Sequence, residues 1–105
     1  MNKDLKKLAL ILRTLGITAN VESEPIHFGD ELISDNIFCV CTKGDIRFDI
    51  WHEDFNDFEL HFTYKDTLVY DNLYLGSLIQ VVGEIVGTFS KYEGYVPVSY
   101  PLGSL

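Results

Sequence analysis

At 105 residues and a net charge of -8, the chain is long enough for one hydrophobic core and too short for two of ordinary size. Its 47% hydrophobic and 23% charged content is that of a folding globular chain, which argues against a disordered or collagen-like polymer. Sixteen acids against eight Lys and Arg argue against direct binding to nucleic acid or an anionic membrane, because both need cationic surface, so the expected partner is neutral or basic.

Residues 2–15 place Leu5, Leu8, Ala9, Leu12 and Leu15 at helical spacing, with Asn2 as a cap and Gly16 as the left-handed stop. Lys3, Lys6 and Lys7 followed by Leu8 to Leu12 resemble a signal peptide only superficially. Arg13 breaks the apolar run short of the roughly 7 to 15 residues that a secretory h-region needs, so a cytoplasmic location is expected. Ile17, Ala19 and Val21 then alternate with Thr18 and Asn20, as in a short strand.

From Glu22 to Asp35 the alternation is lost. Pro25, Gly29 and five acids without a single Lys or Arg predict a long solvated loop. Ile37 to Thr42 is an apolar run, Lys43-Gly44-Asp45 is a turn signature, and Ile46, Phe48 and Ile50 alternate with polar neighbours. After a second connection over His52 to Asp57, the residues Phe58, Leu60, Phe62 and Tyr64 alternate with Glu59, His61 and Thr63, the cleanest strand pattern in the chain. Leu68 to Tyr70 predict a short edge strand ended by Asp71-Asn72. Asn72 then caps a second helix whose stripe runs from Leu75 to Phe89, with Gly76, Gly83 and Gly87 explained by close backbone packing. Beyond Lys91, Tyr92, Tyr95 and Tyr100 among prolines and glycines predict an extended tail.

These elements make a single α+β domain over residues 1–105. Its two layers are an antiparallel meander of four to five strands and an N-terminal and a C-terminal helix packed on one face of it. No stretch predicts a membrane span. Charge is polarised: residues 1–16 carry four bases and one acid, whereas residues 22–71 carry thirteen acids and three bases.

Chemistry-bearing motifs are scarce. His27, His52 and His61 with Cys39 and Cys41 have none of the spacings of familiar zinc sites, and no glycine-rich phosphate loop follows a strand, so no metal or other cofactor is expected. Cys39 and Cys41 are expected as free thiols in an apolar run. Pairing either with His61 is the one conceivable catalytic arrangement, and a small cysteine/histidine enzyme ranks below the binding readings.

The pattern that points to function is an outward tryptophan among carboxylates. Alternation turns Asp45, Asp49, Trp51 and Glu59 away from the core with His61 beside them, and Glu53, Asp54 and Asp57 extend the acidic surface into the adjoining connection. The expected function is a small acidic module that docks on and occludes a basic protein, such as a toxin or a nucleic-acid-binding enzyme, as immunity proteins and nucleic-acid mimics do. The alternative is a dimeric secretion or assembly chaperone or adaptor, which would work through an apolar groove or a sheet edge.

Overall fold

The computed structural model describes residues 2–52 and 57–96. Helix α1 spans Asn2–Thr14 and buries Leu5, Leu8, Ala9 and Leu12 along one stripe, with Asp4 in its first turn and Arg13 in its last, the arrangement its dipole favours. The chain then turns through Gly16, and the Arg13 side chain donates from Nε to the Ala19 carbonyl at 2.7 Å, tying the helix end to the strand that follows.

Five strands succeed one another: β1 Thr18–Phe28, β2 Glu31–Lys43, β3 Ile46–His52, β4 Phe58–Tyr64 and β5 Thr67–Leu75. They form one antiparallel sheet in the order β1-β2-β3-β4-β5, so each strand pairs with its chain neighbours, as hairpin connections dictate. At the β2–β3 turn Gly44 has φ +60°, the left-handed region that favours glycine, and the flexible Glu93 carboxylate lies beside it. Lys65 and Asp66 both adopt positive φ in the β4–β5 turn, the backbone twist that suits a two-residue hairpin.

Helix α2 spans Leu78–Glu93. The Ser77 hydroxyl caps its start by accepting from the Gln80 N–H, and Gly94 at φ +63° ends it. Both helices lie on the same side of the sheet. Ile46, Phe48 and Ile50 of β3 and Phe58, Leu60 and Phe62 of β4 point towards them and are buried with Val81, Ile85 and Phe89. Phe48 is the hub, stacked on Phe62 at 4.9 Å between ring centroids and tilted against Phe89 at 6.0 Å. Each such side chain contributes about 1.5–3 kcal/mol by leaving water. Cys39 and Cys41 are buried in this core as free thiols, and burial pushes the Cys39 thiol up to about 12 and the Cys41 thiol further still. Among the described residues no helix is long and apolar enough to cross a membrane.

Four expectations are corrected. The segment from Glu22 to Asp35 is not a loop: it forms the distal parts of β1 and β2, joined by a turn at Gly29-Asp30. Among the described residues only Cys39–Lys43 of β2 pairs with β3, and the rest of the hairpin extends as a two-stranded arm with a register shift between Ile26 and His27. Every residue from Glu22 to Asp35 is exposed, and the molecule measures 57 × 29 × 20 Å. Among the described residues nothing covers the arm, so neither of its faces is held to an apolar pattern and alternation fails there.

Asp71-Asn72 does not end β5. The strand absorbs the pair in an irregular stretch with register shifts around Phe62, and continues to Leu75. Asn72 is therefore inside a strand and Ser77 is the cap. The α2 glycines are not close-packing positions either: Gly76 precedes the helix, and a Cβ on Gly83 or Gly87 would meet nothing within 4 Å.

Candidate protein-binding face

Among the described residues no element covers the side of the sheet turned away from the helices. Register decides which side chains share it: Val40 pairs with Asp49, Asp49 with His61, Trp51 with Glu59, and Glu59 with Tyr74. Odd positions of β3 and β4 therefore face outward together, as alternation predicts.

Trp51 sits at the centre, half-buried. Its indole lies between Phe38, at 5.3 Å, and the His61 ring, at 4.4 Å, both tilted against it. Nε1 donates to the Asn36 side-chain oxygen at 2.9 Å, so the indole is held in one orientation by two rings and a hydrogen bond. Beside it, Glu59 Oε2 lies 2.6 Å from His61 Nε2, and Glu59 Oε1 accepts from the Tyr74 hydroxyl at 2.9 Å. Asp49 accepts from Arg47 Nε at 3.0 Å, and this bond holds the Arg47 guanidinium above its usual pKa range. Glu22, paired with Phe38, and Glu24, paired with Asn36, rim the face on the β1 side.

Asp49, Trp51, Glu59 and His61 are thus brought together. Asp45 is not with them: β3 begins at Ile46, so its alternation does not reach Asp45, which lies in the β2–β3 turn with its N–H donating to the Glu93 carboxylate at 3.2 Å. Asp57 is exposed just before β4. Glu53 and Asp54 lie outside the described residues. Asn36, Phe38, Arg47 and Tyr74 belong to the face and escape the sequence reading. Phe38 is hidden in a continuous apolar run whose parity is not legible, and Tyr74 falls in a stretch read as leading into a helix.

The sheet separates the thiols from His61. Cys39 and Cys41 pair with Ile50 and Phe48 on the helix side, whereas His61 faces outward. His52 is also on the core side, stacked on Phe58 at 4.4 Å, with Nδ1 3.5 Å from Asp4 Oδ2 but without a hydrogen bond. Among the described residues no three His, Cys, Asp or Glu side chains are grouped so as to hold a metal ion. What the outer face offers is a preorganised aromatic anchor set among carboxylates. Comparisons with protein-family models, with curated proteins and with solved structures give no match.

Proposed function

We propose that this protein is a small acidic binding module, acting in the cytoplasm, that docks its uncovered sheet face on a basic partner protein and occludes it, in the manner of an inhibitor or immunity protein. The observation that carries this reading is Trp51, held between Phe38 and His61 on the sheet face opposite the two helices. Large aromatic side chains that are already ordered lose little entropy on binding and form the energetic centres of interfaces. The surrounding acids Glu22, Glu24, Asp49 and Glu59 supply long-range attraction towards a basic surface. Arg47, bonded to Asp49, offsets part of that charge on β3, whereas Glu22 and Glu24 have no ion-pair partner among the described residues.

The test is affinity capture from the native host with wild-type, Trp51→Ala and Glu22→Lys/Glu24→Lys baits, at low and high salt. The expected result is a basic protein retained by the wild type, released by salt, and weakened at least about tenfold by each variant. Retention unchanged in both variants would sink the reading. A second reading, the assembly chaperone, is favoured by the exposed Ile26, Phe28, Leu32 and Ile33 of the arm. Salt-indifferent capture of unfolded segments through those residues would replace the first reading with this one.

A further inference from the structure

The arm and helix α1 carry opposite surfaces. On the arm, Ile26, Phe28, Leu32 and Ile33 are exposed, Phe28 to 78%, among Glu22, Glu24, Asp30, Glu31 and Asp35, with no Lys or Arg. An isolated two-stranded ribbon is marginally stable in water at best, so this one gains from a surface to lie on. On α1, Lys3, Lys6, Lys7, Leu10 and Arg13 recur at helical spacing along the solvent side, with Leu10 59% exposed. Lys6, Ala9, Leu10 and Arg13 form one wall of a groove completed by Asn20 and Val21 of β1. Among the described residues, no ion pair engages the three α1 lysines or the five arm acids.

We propose that two copies of this chain form a reciprocal dimer in which the acidic arm of each lies along the basic α1 face of the other. Charge complementarity selects this occupant. The chain as a whole is at -8, so two copies repel in most orientations, and α1 with its four bases against one acid is the cationic surface that an acidic arm can meet. Dimensions agree: the arm from Glu22 to Phe28 spans about 20 Å at ~3.3 Å per residue, and the 13 residues of α1 span about 20 Å at ~1.5 Å per residue. A two-fold axis makes both contacts at once; Glu22 and Glu24 also rim the Trp51 face, so the two readings are separated at the arm's tip, where Asp30 and Glu31 pair with no residue of that face.

Sedimentation of the full chain tests it. At tens of micromolar protein the wild type is expected at twice the 12.0 kDa chain mass, dissociating as salt is raised towards about 1 M, where charges are screened beyond roughly 3 Å. Asp30→Lys/Glu31→Lys and Lys6→Glu/Lys7→Glu each alter only exposed positions, and each is expected to weaken the dimer at least about tenfold. Mixing the two variants in equal amounts is expected to restore a dimer, because each arm then meets a helix of opposite sign. A monomeric wild type, a dimer indifferent to both reversals, or a mixture that stays monomeric overturns the proposal. Unchanged circular dichroism in each variant separates these outcomes from misfolding.

Discussion

The Tyr95 hydroxyl donates a hydrogen bond to the Leu15 carbonyl, joining the chain just past α2 to the chain just past α1 across 80 residues of sequence. Tyr95 is buried edge-on against Phe89, and its own N–H closes the end of α2 on the Phe89 carbonyl. Tyr95→Phe leaves the ring in place and the Leu15 carbonyl without this donor. It is expected to cost about 1–2 kcal/mol, read as a lower urea midpoint at unchanged slope. A loss under a few tenths of a kcal/mol would show that water replaces the hydroxyl freely.

Phe48 touches both layers through Phe62 and Phe89 and is fully buried. Phe48→Ala is expected to remove about 3–5 kcal/mol, enough to unfold a marginal domain of this size, whereas Phe48→Leu should retain a cooperative transition at a lower midpoint.

Alkaline stability follows from the buried thiols. Desolvation raises the Cys39 pKa from 9.0 to about 12, with a minor contribution from Asp49, and the Cys41 thiol moves in the same direction. A raised thiol pKa means that the native state keeps a proton the unfolded chain releases above pH 9, so stability is intact below that pH and falls as pH rises through the window up to about 12. The slope is at most about 1.4 kcal/mol per pH unit for each thiol. Urea titrations at pH 8 and pH 10 are expected to show a smaller alkaline loss in Cys39→Ala/Cys41→Ala than in the wild type, measured with reductant present; Tyr70, also raised by burial and by Glu84, keeps a residual slope in both.

Gly83 and Gly87 sit inside α2 with open space where a side chain would be. Gly83→Ala and Gly87→Ala are each expected to stabilise by about 0.5–1 kcal/mol, because alanine removes unfolded-state freedom without a clash. A destabilising result would show that an added methyl group at these positions does not find open space.

The arm contributes no buried residue. Replacing residues 24–35 by a two-residue turn is therefore expected to leave the thermal midpoint within about 5 °C of the wild type, while abolishing the dimer. A large loss of stability would show that the hairpin props up the β1–β2 register from outside the sheet.

Legibility in the sequence tracks one physical condition, a face that is buried opposite one that is wet. β3 and β4 meet it, and Ile46, Phe48, Ile50, Phe58, Leu60 and Phe62 were all readable from a period of two; α1 meets it with a period of 3.6. The arm has two wet faces and reads as a loop. Leu73 and Leu75 face the core from β5, but their spacing to Leu78 and Val82 also suits a helix, so α2 is predicted to start too early. Of the outer face, Trp51, Glu59, His61 and Asp49 were legible because their strands were. Phe38 and Tyr74 were not, since only register across strands brings them beside Trp51 and Glu59.

The irregular stretch of β5 around Asp71-Asn72 has a consequence for growth of the sheet. A five-stranded open sheet exposes the outer rims of its first and last strands, and a straight rim can recruit strand after strand into a fibre. On β5 the broken register interrupts the row of groups that an incoming chain would have to match, even though Leu68 and Val69 are accessible there. Broken register of this kind works against strand-by-strand growth of the sheet from the β5 rim.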